Sequence, residues 1–349
     1  MISLKEGKNL LYLSCHSTLE ACDLRTYSDL GFTVQSTGFY AYPARPTHDH
    51  LLPRLFSTNP LLYDEFRKLN PDYTYGYDVP LHFTKEFVDK FDVIVVSWRY
   101  DYLQQYWDLF KDKHVVFESA GQSDANREKQ IAEIRKKGIK VTGVMTEEEN
   151  YQGFGGRDKF IWLYVDIEEE NDWNGEDESI LVVNSSSKIR AYPCNTNLFL
   201  QLSKNLPVKF YGLNNDGLGG ALGPLNEKDL KEVYKNCRLF FSLGSKPSPI
   251  TYNFLEAMAA GCPVVTWGPR LGNFPGFSTY AMHKYIDNGV SGFYSDNPVE
   301  LRQYCQALLE DQDLARKVGN NGRDIIKKYF TYELVKERWK ELFEEMGLL

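Results

Sequence analysis

Short runs of apolar, often β-branched residues alternate along this chain with segments of helical spacing. Residues 10–14, 93–97 and 115–118 form such runs in the first half, and residues 180–183 and 239–242 form them in the second half. Runs of this length and composition suit parallel strands that helices cover on both faces. The repeated order of strand, helix and strand therefore predicts an α/β fold with open, doubly wound sheets.

An acidic stretch separates two such blocks. Eight of the thirteen residues from 166 to 178 are Asp or Glu, a composition typical of a solvated linker between domains. We predict an N-terminal domain at 1–165, a linker at 166–179, a C-terminal domain at 180–330 and a final helix at 331–349. Open α/β domains bind ligands outside the carboxyl ends of their strands, so functional residues are expected in the loops that follow strands.

Composition and charge exclude several classes of protein. The formal net charge of −8 argues against a strongly basic nucleic-acid-binding protein. No apolar run approaches the roughly 18–20 residues that span a bilayer, and the first residues lack the apolar core of a signal peptide. We therefore expect a cytoplasmic protein without stable membrane insertion, in the host cytoplasm if a phage encodes it. The six cysteines include no Cys-x-x-Cys pair, which indicates free thiols.

The segment from 245 to 266 is the most informative part of the sequence. A buried strand leads through a loop into a helix that begins near Thr251 and ends at Gly261. A helix N-terminus offers unpaired N–H groups and a positive dipole end to a phosphate, and Ser248 or Thr251 is expected to cap it. Glu256 lies among apolar residues of this helix, where an unpaired carboxylate is costly. We therefore interpret Glu256 as a group that accepts hydrogen bonds from ligand hydroxyl groups, such as those of a ribose.

Two stretches of the second half resemble a known family. The sequence LEAMAAGCPVVTWG at 255–268 is similar to the nucleotide-sugar-binding segment of group-one, retaining glycosyltransferases with the GT-B fold. Residues 285–339 resemble the closing pattern of that family, a loop NGVSGF followed by helices. The resemblance implies two Rossmann-like domains that face each other across a cleft, and a last helix that packs back on the N-terminal domain.

The resemblance also implies positions for the donor nucleotide sugar. Glu256 matches the second of two glutamates that the family often carries eight positions apart, whereas Ser248 stands where the first would be. In the family, a basic residue after the first strand of the second domain meets the donor diphosphate, and a cation there stabilises its departure. The predicted donor site consists of Ser186, Lys188, Arg190, Gly223, Leu225, Ser248, Ile250, Thr251, Tyr252 and Glu256.

The first domain is expected to supply the acceptor side. His16 follows the first strand and Glu118 ends the strand at 115–118, so we assign both to orienting or deprotonating an acceptor hydroxyl. The segment from 43 to 80, rich in proline and aromatic residues, predicts a long irregular insertion that shapes the choice of acceptor. The predicted catalytic residues are Glu118, His16, Lys188 and Arg190, and the cations of the insertion are Arg45, Arg54, Arg67 and Lys68.

The resemblance implies a retaining hexosyltransferase whose donor is a nucleotide-diphosphate sugar, expected to be UDP-linked, and the lack of a metal-ligand cluster in the sequence predicts that it is metal-independent. We expect no cofactor and no metal, because His48 and His50 in a proline-rich loop are more typical of solvated side chains. The acceptor is left open between a saccharide, a lipid-linked sugar and a hydroxymethylated pyrimidine in DNA, since phage DNA glucosyltransferases share the fold. A sugar-nucleotide epimerase and a non-catalytic sugar-nucleotide-binding protein are the alternatives, and the sequence sets no oligomeric state.

Overall fold

The chain forms two parallel six-stranded sheets with helices packed against them. The computed structural model describes residues 8–14, 16–41, 56–73, 80–119, 124–144, 156–167, 172–246, 248–273 and 280–349. This architecture confirms the predicted α/β class and the two Rossmann-like units. Within the described ranges, no helix combines the length and the apolar composition that crossing a membrane requires.

The first sheet forms because short apolar runs are buried between helices on both faces. All five residues of the strand Val93–Ser97 are buried, for example. The elements of this half are β1 (Asn9–Leu13), α1 (Ser17–Asp29), β2 (Thr33–Ser36), α2 (Pro60–Leu69), α3 (Lys85–Val88), β3 (Val93–Ser97), α4 (Tyr100–Phe110), β4 (His114–Ser119), α5 (Ala125–Lys136), β5 (Lys140–Gly143) and β6 (Lys159–Phe160). The strands pair in the order β2-β1-β3-β4-β5-β6.

The second sheet repeats this plan. Its elements are β7 (Asp177–Val183), α6 (Thr196–Leu202), β8 (Val208–Tyr211), β9 (Ala221–Gly223), α7 (Glu227–Asn236), β10 (Cys237–Ser242), α8 (Tyr252–Ala259), β11 (Val264–Trp267), α9 (Pro269–Gly272), β12 (Phe293–Ser295), α10 (Pro298–Glu310), α11 (Gln312–Tyr329) and α12 (Tyr332–Glu345), with a 3-10 helix at Met282–Tyr285. The strand order is β12-β11-β10-β7-β8-β9. The sequence did not predict the edge strands β9 and β12, because each has only three residues.

The segment predicted as an irregular insertion contains a regular helix, so that prediction is wrong for its described part. Asn59 caps α2 by accepting a hydrogen bond from the Leu61 N–H at 2.9 Å, and Pro60 occupies the first turn, where proline is tolerated. The helix buries Phe66 in the core of the first domain. Arg67 donates to two backbone carbonyls of the following turn, which is a structural role. Residues 42–55 and 74–79, with Arg45, Arg54, His48 and His50, lie outside the described residues.

The acidic stretch is only partly a solvated linker. Trp173 is buried, and its indole N–H donates to the Cys237 carbonyl at 3.0 Å. The Arg316 guanidinium lies 5.2 Å from the centre of the same ring. Because β7 already begins at Asp177, the end of the predicted linker is part of the second sheet.

The last helix packs on the first domain. The Trp339 ring meets the Tyr27 ring of α1 edge to face at 5.0 Å, and Phe343 contacts Phe32 at 4.8 Å between ring centres. At the helix surface, Lys159 pairs with Glu341 at 2.7 Å. These aromatic contacts, worth about 0.5–1.5 kcal/mol each beyond their buried area, tie the end of the chain to its beginning.

Candidate functional site

A cavity of about 540 Å³ lies between the two domains, within the size range of small-molecule sites. Loops and helix starts that follow the parallel strands form much of its wall, as expected for open α/β sheets. The first domain contributes residues that include His16, Thr18 and Tyr40, and the second contributes residues that include Asn184, Leu225, Tyr252, Asn253 and Glu256.

Glu256 projects into this cavity from α8, between two residues that are fully buried, Leu255 and Ala257. Its described partner is the Tyr234 hydroxyl, which donates to Oε2 at the long distance of 3.5 Å. Burial, and next the negative charge of Glu227, raise the pKa of Glu256 to about 7. The carboxyl group is therefore short of donors, and a ligand that supplies hydroxyl hydrogens stabilises its charged form.

Asn253 is a second acceptor in the cavity wall that the sequence analysis missed. Its Nδ2 donates to the Val183 carbonyl at 2.6 Å, which fixes the orientation of the amide. Its Oδ1 is buried and has no hydrogen-bond partner among the described residues. Asn253 and Glu256 are three positions apart on α8 and so lie on one face of the helix. This spacing is the signal from which the pair could have been predicted.

The N-terminus of α8 is not capped by a side chain, so the predicted cap is wrong. Thr251 occupies the cap position, but its hydroxyl makes no capping hydrogen bond. The Ser248 hydroxyl donates instead to the Ile250 carbonyl at 3.0 Å. Ile250 is itself buried, whereas Tyr252 lines the cavity. The first turn of α8 therefore keeps N–H groups that an anion can use.

The predicted diphosphate-binding cations lie on the loop that follows β7. This loop gives Asn184 and Ser185 to the cavity wall, but neither Lys188 nor Arg190 lines the cavity. Arg190 donates to the Ser245 hydroxyl, and Lys188 is exposed. Ser186, with a positive φ of 56°, lies at the turn between them and the strand.

The glycine-rich loop, residues 212–223, packs closely against the end of β7. Gly212 has a φ of 137°, and a Cβ atom on it would lie 2.2 Å from the Asn184 carbonyl oxygen, so no larger residue fits. The Gly212 N–H donates to the Gly223 carbonyl at 2.8 Å. Of the two residues predicted to hold the base, Leu225 lines the cavity and Gly223 does not.

His16 reaches the cavity from the first domain, at the N-terminus of α1. Its Nδ1 accepts a hydrogen bond from the Thr18 N–H at 3.2 Å, so the neutral ring carries its proton on Nε2. The surrounding protein desolvates the imidazole and lowers its pKa below 6.5. In its neutral form, His16 therefore offers the cavity an N–H donor from Nε2.

Glu20, which the sequence analysis also missed, holds the part of the first domain that carries Tyr40. Its carboxyl group accepts from the N–H groups of Phe39 and Tyr40, both at 2.7 Å, and from two serine hydroxyl groups. A Cβ atom on Gly38 would lie 2.1 Å from this carboxyl group. Glu20 therefore holds the loop at residues 38–40 in place through hydrogen bonds, and this loop sets the position of Tyr40 in the cavity wall.

Glu118 does not belong to the cavity, contrary to its predicted role with the acceptor. It is only 1% exposed and lies inside the first domain. The Tyr12 hydroxyl donates to Asp23 at 2.8 Å and lies 3.4 Å from Glu118 Oε2. Burial raises the pKa of Glu118, and burial together with the charge of Glu118 raises that of Asp23. Both carboxyl groups therefore lie in the core of the first domain, out of reach of a ligand in the cavity.

The described residues hold no group of three or more His, Cys, Asp or Glu side chains that fits a metal ion. The five described cysteines are buried free thiols. The sulfur atoms of Cys237 and Cys262 are 3.4 Å apart.

Comparison with known proteins matches part of the second domain by sequence and nearly the whole chain by structure. Residues 220–325 match the model of the family described as glycosyl transferases group 1. Sucrose-phosphate synthase from Thermosynechococcus elongatus is similar in structure, with a TM-score of 0.66 and 14% identity over 97% of this chain and 99% of that one. Anabaena HepE, solved with UDP and glucose, has a TM-score of 0.65 and 14% identity over 97% and 100% of the two chains.

A glycosyltransferase from Rickettsia africae is also similar, with a TM-score of 0.62 and 16% identity over 97% of this chain and 98% of that one. The structural matches extend over both domains and confirm the predicted fold. The family match confirms the predicted resemblance for the second domain, which carries Glu256, Asn253 and the glycine-rich loop. The family match supports the predicted class of enzyme, a glycosyltransferase. The chain therefore has the GT-B fold, and residues 220–325 match the group 1 glycosyltransferase family.

Proposed function

We propose that this protein transfers a sugar from a nucleoside-diphosphate sugar, expected to be UDP-linked, to a hydroxyl group of an acceptor. The observation that carries the proposal is a pair of acceptors on one helix face in an interdomain cavity: Glu256, which has one long hydrogen bond, and the Asn253 Oδ1, which has none among the described residues. A ribose diol supplies two hydroxyl hydrogens to such a pair. The structure of HepE with UDP and glucose supports the choice of UDP.

The diphosphate lies, in this proposal, between the N-terminus of α8 and the loop that follows β7. Lys188 and Arg190 lie on that loop and pair with no acidic side chain among the described residues. Both contact the diphosphate after the ligand enters, and the uncapped N–H groups of Tyr252 and Asn253 face its oxygen atoms. Stabilising the departing diphosphate with protein cations leaves no step that requires a metal ion.

The acceptor approaches from the first domain. His16 donates from Nε2 to an oxygen of the reacting sugars and positions it, because its Nδ1 is already occupied by the Thr18 N–H. Tyr40, held through Glu20, forms the neighbouring wall. With attack and departure on the same face of the sugar, the configuration at the anomeric carbon is retained.

The test is the release of nucleoside diphosphate from UDP-glucose and related donors, with and without acceptors. Transfer predicts that UDP appears with a saccharide, a lipid-linked saccharide or hydroxymethylated DNA, together with a glycosylated product of retained configuration by NMR. Interconversion of the donor without UDP release contradicts transfer and indicates an epimerase. Donor binding without turnover on any acceptor indicates a binding protein.

Matched variants connect this assay to the cavity. Glu256→Gln and Asn253→Ala are expected to weaken donor binding, whereas Glu337→Gln, which removes an exposed carboxylate on α12, leaves binding unchanged. A charge-assisted hydrogen bond contributes about 1.5–3 kcal/mol, so loss of Glu256 is measurable by calorimetry. Equal affinities of all three variants and the wild type contradict the assignment of the cavity.

A further inference from the structure

Two buried cysteines of the second domain lie in contact behind the wall of the cavity. The Sγ atoms of Cys237 and Cys262 are 3.4 Å apart, and each residue is only 1% exposed. Cys237 is the first residue of β10, and Cys262 lies in the turn between α8 and β11. The Cys237 thiol also donates to the carbonyl of Tyr234, a residue of the cavity wall, at 3.7 Å. The thiol pair therefore lies directly behind a residue that lines the cavity.

Strands β10 and β11 hold the backbones of the two cysteines at a suitable separation. In their parallel register Phe240 pairs with Val264, and the Phe240 N–H donates to the Pro263 carbonyl at 2.9 Å. Continued by two residues, this register places Cys262 opposite the residue that follows Cys237. Strands about 4.8 Å apart with a rise of about 3.3 Å per residue then give a Cα separation of roughly 6 Å. This separation lies within the range that disulfides require, about 4.4–6.8 Å.

The turn that carries Cys262 is fixed by its neighbours. Gly261 has a φ of 75°, which favours glycine, and the Cys262 N–H donates to the Ala257 carbonyl at 3.0 Å. Helix α11 packs directly against this turn, because a Cβ atom on Gly319 would overlap the Gly261 carbonyl oxygen. The contact between the two sulfur atoms is therefore imposed by the packed backbone.

We propose that Cys237 and Cys262 form a reversible disulfide under exposure to a peroxide, and that this bond ties the end of α8 to the start of β10. A small uncharged peroxide is the fitting oxidant, because charged oxidants do not enter an apolar interior readily. Helix α8 carries Asn253 and Glu256 in the cavity wall, so the bond restrains the helix that supplies both acceptors. This inference is independent of the proposed function.

The oxidation balances in atoms and electrons. The sulfur of one thiolate attacks an oxygen of hydrogen peroxide, the O–O bond breaks, and the leaving hydroxide takes up the thiol proton as water. The second sulfur attacks the resulting sulfenic acid, the S–O bond breaks, and another water leaves with the second thiol proton. Two thiols thus lose two electrons and two protons, and the peroxide is reduced to water. Because the second sulfur is already in contact with the first, this step outpaces further oxidation.

The environment of the pair makes the first step slow. Burial, and next the hydrogen bond with Cys262, raise the pKa of the Cys237 thiol, and the thiolate is the form that reacts. The two sulfur atoms therefore stay reduced under mild conditions and respond to sustained exposure to peroxide. Alkaline pH increases the thiolate fraction, so an assay at about pH 8.5 is suitable.

The experiment treats the folded protein with hydrogen peroxide at about pH 8.5, alkylates the remaining thiols and maps the peptides by mass spectrometry. We expect a linked pair of peptides that contains Cys237 and Cys262 and that separates on reduction with dithiothreitol. A disulfide limits the freedom of the unfolded chain, so the melting temperature of the oxidised protein should rise by several degrees.

Two variants separate this pair from general oxidation. Cys262→Ala should show neither the link nor the rise in melting temperature, whereas Cys305→Ala, which removes a buried thiol on α10, should show both. If Cys262→Ala does not fold, the peptide map of the wild type still decides the result.

Three results overturn the inference. The first is thiols that stay reduced after the treatment, and the second is sulfinic acid at Cys237 or a link from it to another cysteine. The third is a link that forms only in urea or that lowers the melting temperature, because the native geometry then does not accommodate the bond.

Discussion

The pKa of Glu256 makes donor binding depend on pH in a way that can be calculated. Burial raises this pKa from 4.5 to about 7, which corresponds to roughly 3 kcal/mol of disfavoured ionisation in the ligand-free protein. Ribose hydroxyl groups donate to the ionised carboxylate, so the donor binds the charged form. At about pH 6 only about a tenth of the protein carries that form, and the apparent affinity is reduced by the same fraction.

The assay is calorimetric titration with UDP-glucose between about pH 6 and pH 9. UDP-glucose is the suitable ligand because its phosphates are diesters and do not titrate in this range, unlike the terminal phosphate of UDP. We expect the dissociation constant at about pH 6 to be roughly tenfold higher than the plateau near pH 9. The pKa of His16 is lowered below 6.5, so His16 stays neutral over most of the range.

Glu256→Gln isolates the cause of this dependence. The variant is expected to bind UDP-glucose more weakly than the wild type at high pH and with no slope between about pH 6 and 9. A flat profile for the wild type refutes the reasoning, because the carboxylate would then not need its charge for the ligand. A slope that survives in Glu256→Gln refutes it too and assigns the titration to another group.

Three further predictions concern stability and metal dependence. Burial and the charge of Glu118 raise the pKa of Asp23 above 3.8, so the folded state keeps a proton that the unfolded state loses, and the free energy of unfolding falls as pH rises above about 4. By calorimetry, Asp23→Asn should melt at a higher temperature than the wild type at about pH 8, and this gain should shrink towards about pH 5. Arg157→Ala leaves the buried Glu128 carboxylate without its guanidinium partner, 2.8 Å away. The free energy of unfolding in urea should therefore fall by about 3–5 kcal/mol. The control Lys136→Ala, which breaks an exposed ion pair, should lower it by less than about 1 kcal/mol. Transfer activity should persist in EDTA, and loss of activity that a divalent ion restores would contradict the roles of the protein cations.

The sequence predicted the interior strands well because their signal is local. A run such as β3 is apolar at every position, and its burial on both faces follows from that pattern alone. The edge strands β9 and β12 lack such a run, since partner strands rather than their own composition define them. The helix α2 was missed because Pro60 reads as an interruption, whereas at the start of a helix it replaces an N–H that has no partner.

The candidate site was less predictable because its chemistry depends on partners that are distant in sequence. The Asn253 Oδ1 has no partner because the amide is oriented by the hydrogen bond from Nδ2 to the carbonyl of Val183, which is 70 positions away. The position of Tyr40 in the cavity wall follows from the hydrogen bond between its N–H and Glu20, which is 20 positions away. A pattern within one segment contains neither fact, although Glu256 could be singled out because its neighbours on the helix are apolar.

Glu118 and Glu256 were both predicted as site residues, but they differ in what lies next to them, and the structure places only Glu256 in the cavity wall. Both are carboxyl groups whose pKa values are raised by burial. Glu118 is the penultimate residue of β4, and Tyr12 and Asp23 are hydrogen-bonding groups beside its carboxyl group. Glu256 faces an open cavity and has one long hydrogen bond. Burial alone therefore does not identify a carboxylate that binds a ligand. A binding carboxylate also has few hydrogen-bond donors from the protein and faces an open cavity, as Glu256 does and Glu118 does not, so that hydroxyl groups of a ligand can donate to it.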